Sequence, residues 1–154
     1  MSDATMPTIL LVENDADTRR IYADVLFPLC GRVLEAGNPY EAFTYLRTHA
    51  IALVVTDLRM PGGGLQYVSS LRATQPSCPI VVITGLGGET LRDATLSAGA
   101  TAFLEKPIRT KQLREIVHHF LSHYPSPCYP DTSCSHCAVL SEYDSTTGSL
   151  PHLL

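Results

Sequence analysis

Five short apolar runs alternate with five longer segments of helical period, and that alternation leaves the chain very few folds. The runs are Ile9–Val12, Arg32–Ala36, Leu53–Thr56, Cys78–Ile83 and Thr101–Glu105. Strands joined by helical crossovers lie parallel, with helices covering both faces of the sheet. The right-handedness of such crossovers removes most of the remaining topologies. The runs at Ile9, Leu53 and Ile80 are continuously apolar and rich in β-branched residues, which marks strands buried on both faces. Charges flank the Arg32–Ala36 run, so it belongs nearer a sheet edge.

The helical segments carry their own punctuation. Asp15 or Asn14 is placed to cap the first helix, and Asp17 lies where the helix dipole favours an anion. Its inward stripe reads Ile21, Val25, Leu26 and Leu29, and Pro28 with Cys30-Gly31 ends it. Asn38-Pro39 has the form of an N-cap followed by proline at the first helical position, and Ala42, Phe43, Leu46 and Ala50 face inward from there. The third helix offers Leu65, Val68 and Leu71 before Gln75-Pro76-Ser77 breaks it. A loose Gly85-Leu86-Gly87-Gly88 link leads to a fourth helix ending near Ala98, with Gly99 as its C-cap. Leu113, Ile116, Val117, Phe120 and Leu121 give the fifth helix a regular i, i+3, i+4 stripe.

The chemistry gathers at the strand ends. Leu53–Thr56 terminates in a single carboxylate, Asp57, followed by Met60-Pro61-Gly62. A strand-end aspartate often only caps a turn, but the other strands end in chemically useful groups as well. The first runs into Glu13, Asn14 and Asp15, the fourth into Thr84, and the fifth into Lys106-Pro107. In open α/β sheets, ligands bind outside the carboxyl ends of the strands.

This ordered set resembles the receiver domain of two-component response regulators over roughly residues 7–121. The set comprises an acidic cluster after strand 1, Asp-x-x-Met-Pro-Gly after strand 3, Thr after strand 4 and Lys-Pro after strand 5. The resemblance implies a flavodoxin-like, doubly wound five-stranded parallel sheet in the order 2-1-3-4-5. It implies Asp57 as phosphoacceptor, Thr84 and Lys106 as groups that meet the phosphoryl oxygens, and Phe103 as a switching aromatic, although Phe103 also reads as simple core filling. It further implies a Mg²⁺ site made by Glu13, Asn14, Asp57 and the backbone carbonyl of Arg59, and a cis Lys106–Pro107 peptide. Such a module takes its phosphate from a histidine kinase or histidine phosphotransfer protein. It then signals to a partner through the helix 4–strand 5–helix 5 face, or through self-association as a homodimer. Its enzymatic activity is at most self-phosphorylation and slow autodephosphorylation.

Two features depart from the family pattern. Asn14 stands where the family usually carries a second aspartate, so an amide oxygen replaces a charged metal ligand. Arg59 sets a cation two residues past Asp57. Asn14 supports an alternative reading, a degenerate receiver that acts as a phosphorylation-independent adaptor. Arg59 argues against a haloacid-dehalogenase-type phosphatase, which wants an acid/base aspartate at that position. Glu13 and Asp15 argue against a flavodoxin-like FMN site, whose first loop must cradle phosphate.

Composition bounds the rest. The 154 residues are 45% hydrophobic, enough for one core and a tail, with a formal net charge of −4. That charge disfavours nucleic acid or an anionic membrane as partner. No apolar run reaches the length of a membrane span, and Met1–Pro7 lacks the pattern of a signal peptide. The expected compartment is the cytoplasm, where the five cysteines are thiols. Residues 1–6 read as an N-terminal extension and 122–154 as a Ser/Thr/Pro/Cys-rich tail with little structure of its own. Within that tail Cys128, Cys134 and Cys137, with His136 and the upstream His123, have a spacing that zinc can use. Free thiols are the favoured reading there.

Overall fold

The computed structural model describes residues 6–123. Strands and helices alternate without exception: β1 (Thr8–Val12), α1 (Ala16–Cys30), β2 (Arg32–Ala36), α2 (Pro39–Thr48), β3 (Leu53–Thr56), α3 (Leu65–Thr74), β4 (Ile80–Thr84), α4 (Glu89–Ala98), β5 (Ala102–Glu105) and α5 (Thr110–His123). All pairings are parallel and the sheet order is β2-β1-β3-β4-β5, as expected. β2 is an edge strand, in keeping with its flanking charges.

Period-2 alternation sorts the strand side chains onto two faces. Ile9, Leu11, Leu53, Val55, Val81, Ile83, Ala102 and Leu104 pack against α1 and α5 with Leu26, Leu113, Ile116 and Phe120. Leu10, Val12, Val54, Ile80, Val82 and Phe103 fill the opposite face with Leu46, Tyr67, Val68 and Leu71. Both faces are therefore covered, which is why the central strands β3 and β4 are buried along their whole length.

Of the local expectations, the α1 caps hold and several helix faces shift by about one residue. Asp15 is the α1 N-cap: its carboxylate accepts the Thr18 N–H at 2.9 Å and also the Thr18 hydroxyl. Ile21, expected inward, is 56% exposed, and α1 instead buries Leu26 and Cys30 with Tyr22, Val25 and Leu29 alongside. α1 ends at Cys30 with Gly31 as its C-cap, as expected, but Pro28 lies within the last turn rather than breaking it. Near a C-terminus, a missing N–H removes a single rung, and the packed Leu29 and Cys30 offset it. Leu65 is 38% exposed, with Tyr67 taking the inward place. Ala50 lies beyond α2, which His49 terminates.

Candidate functional site

Parallel register assembles the site. Val12 pairs with Thr56 and Thr84 with Glu105, so the residues just past these strand ends, Glu13, Asp57 and Lys106, converge at one edge of the sheet. The Asp57 N–H donates to the Val12 carbonyl at 3.1 Å, prolonging the ladder by one rung into the site. Glu13 and Asp57 are 2% and 5% exposed. Lys106 spans them, with Nζ 2.8 Å from Glu13 Oε2 and 2.8 Å from Asp57 Oδ2. The Lys106–Pro107 peptide is cis.

The remaining acceptor atoms are used by backbone. Asp57 Oδ1 accepts the Arg59 N–H at 2.9 Å, and Glu13 Oε1 accepts the Asp15 N–H at 3.1 Å. Gly63 closes the loop after β3 by donating to the Met60 carbonyl at 2.8 Å. A Cβ there would collide with the Leu58 carbonyl oxygen, so this turn admits only glycine.

Burial pushes the Asp57 carboxyl up, but the Arg59 amide and the Lys106 ammonium outweigh it and hold the group below the usual carboxylate range. Burial likewise opposes the charge on Lys106, and Asp57 and Glu13 together raise its pKa above the ordinary lysine value. Asp57 is thus a buried carboxylate held in its ionised form at neutral pH. The trio facing the cleft carries two negative charges and one positive.

The other expected residues divide between cleft and core. Asn14 and Arg59 line the roughly 700 Å³ cleft with Glu13, Asp15, Asp57 and Lys106. Thr84 is fully buried; its hydroxyl oxygen accepts the Leu86 N–H at 3.2 Å. Phe103 lies inward at 3% exposure, in the same core cluster as Tyr67.

Two contributors escaped sequence reasoning. Arg19 donates to the Glu13 carbonyl at 2.7 Å and lies 3.6 Å from Glu35, tying the acidic corner to α1 and β2. Its place one turn into α1, facing the acidic cluster, was the available signal. Tyr67 lies 2.9 Å from Thr56 Oγ1, whose own hydrogen goes to the Asp57 carbonyl at 2.9 Å, so the phenol is the donor in the first bond. This buried relay steadies the backbone of Asp57 from α3, and burial pushes the phenol pKa up.

Receiver domains generally use Mg²⁺ in their acidic pocket, and the donors here suit that ion. Mg²⁺ takes oxygen ligands, commonly one or two carboxylates, and keeps several waters. Glu13 and Asp57 supply two buried carboxylates whose hydrogen bonds leave lone pairs over, and Asn14 adds an amide oxygen at the rim. Among the described residues no group of three or more His, Cys, Asp or Glu is placed to enclose a metal. The donor set is therefore an open, hard-oxygen one rather than a closed transition-metal cage. Cys128, Cys134, His136 and Cys137 lie outside the described residues. His123 is the last residue of α5, and its Nδ1 donates to the His119 carbonyl at 2.9 Å. Among the described residues no helix is long and apolar enough to cross a membrane.

Comparison with known proteins agrees with this geometry. Residues 9–118 match the response regulator receiver domain family. The chain is 33% identical over 111 residues to the cyclic di-GMP phosphodiesterase response regulator RpfG of Xanthomonas campestris, covering 69% of this chain and 29% of that protein. A response regulator from Thermotoga maritima superposes with a TM-score of 0.70 at 28% identity, covering 76% of this chain and 98% of that one. The Vibrio cholerae chemotaxis response regulator CheY4 gives a TM-score of 0.69 at 22% identity, covering 76% and 100%, a likeness of fold. The chain spans between 24% and 31% of the length of its first curated relatives.

Proposed function

Because the chain belongs to the response regulator receiver family, we propose that it accepts a phosphoryl group on Asp57 and passes the resulting conformational change to a partner protein. The observation that carries this reading is the Lys106 ammonium 2.8 Å from both Asp57 and Glu13, beside an ionised carboxylate that opens on the cleft. The donor is a histidine kinase or histidine phosphotransfer protein. An Asp57 carboxylate oxygen forms the new P–O bond as the P–N bond to the donor imidazole breaks, and the imidazole nitrogen keeps the electron pair.

Each neighbour has a distinct task. Lys106 exchanges part of its hold on the carboxylates for the phosphoryl oxygens. Thr84 accepts from Leu86 with its lone pair, which leaves its hydroxyl hydrogen to donate to a phosphoryl oxygen. Glu13, Asn14, Asp57 and the Arg59 carbonyl would hold Mg²⁺, which when bound offsets the negative charge shared by carboxylates and phosphate. Phe103, inward in the unphosphorylated chain, follows the movement of Thr84 and alters the α4–β5–α5 face. Catalytic activity is limited to self-phosphorylation and slow autodephosphorylation. Output runs through a protein partner or a homodimer in the cytoplasm, and the tail beyond α5 is dispensable for phosphoryl transfer.

Intact mass after incubation with a small acyl phosphate and Mg²⁺ tests the proposal. One added phosphoryl group is expected, and an unchanged mass at saturating Mg²⁺ would contradict it.

Asn14 supports a second reading, a fixed adaptor, because it presents a neutral amide on the cleft. The two readings separate in a prediction. Two unit charges 4 Å apart at an effective dielectric of about 20 interact by about 4 kcal/mol. Desolvation and screening reduce the net gain to roughly 1–2 kcal/mol, and about 1.4 kcal/mol is a factor of ten. Asn14→Asp is therefore expected to bind Mg²⁺ about tenfold more tightly in calorimetric titration. Without metal, the added carboxylate should lower its melting temperature. Equal Mg²⁺ affinities would show that the charge at position 14 does not set the binding. Absence of Mg²⁺ binding in the natural chain, restored in Asn14→Asp, would favour the adaptor.

A further inference from the structure

The loop from Thr84 to α4 is glycine-rich, and α4 begins without a side-chain cap of its own. Gly88 is the N-cap residue, so no side chain is available to accept the first helical N–H groups. A carboxylate from another strand meets this helix end instead. Glu105, the last residue of β5, accepts the Gly88 N–H through Oε1 at 3.0 Å. The same carboxylate rests against Gly87, where a Cβ would stand 2.6 Å from Oε2 and 3.0 Å from Oε1. Glycine at 87 thus makes room for the carboxylate, and the backbone of residue 88 presents the N–H.

The contact ties together parts that meet at the site. Glu105 precedes Lys106, whose N–H donates to the Thr84 carbonyl at 2.8 Å. Within the clasped loop, the Leu86 N–H donates to the Thr84 hydroxyl oxygen and so fixes where the hydroxyl hydrogen can point. Holding Gly88 holds the short path back to Leu86. We infer that Glu105 is a positioning residue: by clasping Gly88 beside Gly87, it keeps the Thr84 hydroxyl oriented as a donor toward the Asp57 site. The inference rests on the reading of Asp57 and Thr84 as the phosphoryl site. The carboxylate touches no reacting atom, and its place at the N-terminus of α4 also suits the helix dipole.

The full chain is compared as the natural protein, Glu105→Ala, Glu105→Gln, Gly87→Ala and the Gly87→Ala/Glu105→Ala double variant. Amide exchange at Gly88 and Leu86 is read by NMR, and phosphorylation rate is read with a small acyl phosphate. Glu105→Ala is expected to speed exchange at both amides and to slow phosphorylation, each about threefold to tenfold, the size of one hydrogen bond. Glu105→Gln, which keeps an acceptor oxygen, should restore most of both. Gly87→Ala should displace the flexible carboxylate and behave like Glu105→Ala. The double variant should be no worse than either single one, as expected for a shared contact. Unchanged exchange at Leu86 in Glu105→Ala, or Glu105→Gln as impaired as Glu105→Ala, would overturn the inference. A natural chain that takes no phosphoryl group would instead overturn the reading of Asp57, while the Leu86 and Gly88 amides still decide the clasp.

Discussion

Lys106→Ala is expected to lower stability at neutral pH by about 3 kcal/mol, the lower end of the cost of breaking a buried ion pair. The low end applies because 24% of the lysine side chain is open to water, whereas Glu13 and Asp57 are nearly closed off. Alanine leaves two buried carboxylates near each other with no cation between them, and only the backbone amides of Asp15 and Arg59 to offset the loss of solvent. The pH dependence should change as well. In the natural protein the folded-state pKa of Asp57 is depressed. Its contribution is therefore complete above the unfolded value of about 3.9 and is lost as pH falls through the folded value. Lys106, with its pKa raised, contributes fully below its unfolded value of about 10.4 and loses that contribution as pH rises through the folded value. The trio thus gives a stability plateau across neutral pH. In Lys106→Ala, burial acts on Asp57 with less opposition, its pKa rises, and protonation relieves the strain. That variant should become more stable between about pH 7 and pH 5, where the natural protein stays level. Denaturant titrations at the two pH values check this, and parallel curves for both proteins would contradict it.

Asp57→Asn is expected to abolish phosphoryl uptake while sparing the fold. The amide offers no anionic oxygen to form the P–O bond, so the loss should be complete rather than graded. The structural cost is small by comparison. One oxygen can still accept from Arg59, Lys106 keeps Glu13, and the buried charge with its desolvation penalty is gone. A net loss of about 1 kcal/mol, one hydrogen bond, is the expected size. A melting temperature close to the natural value, together with no added mass, would separate loss of the acceptor from loss of the fold. Labelling of Asp57→Asn at the natural level would assign the chemistry elsewhere.

The architecture was legible because the strands are short and the central ones are almost wholly apolar. Ile9–Val12, Leu53–Thr56 and Ile80–Thr84 are buried along their whole length, and a doubly covered sheet requires that pattern. Asn38 and Gly99 were legible as caps because caps obey local chemistry. Helix faces were less so. Period 3.6 fixes a stripe only to within a residue, and packing against the sheet chose Tyr22 over Ile21 and Tyr67 over Leu65. Cys30-Gly31 marked the end of α1 correctly, and Pro28 falls inside its last turn, where the missing N–H costs little. Glu13, Asp57 and Lys106 were recognisable by their places after strand ends, and parallel register then brought them within hydrogen-bonding distance. Arg19, the Tyr67–Thr56 relay and the Glu105 clasp were not. Each is a contact between segments whose separation in sequence carries no period, made by residue types common on any surface.

The central claim, that Asp57 is the phosphoryl acceptor, is tested most directly by locating the acyl phosphate. Natural protein treated with a small acyl phosphate and Mg²⁺ is reduced with borohydride and digested, then sequenced by mass spectrometry. Reduction converts an aspartyl phosphate into homoserine. The account predicts homoserine at position 57 alone, dependent on the phosphodonor and absent from Asp57→Asn. Conversion at Glu13 or Asp15, or donor-dependent mass addition that leaves Asp57 unreduced, would contradict it.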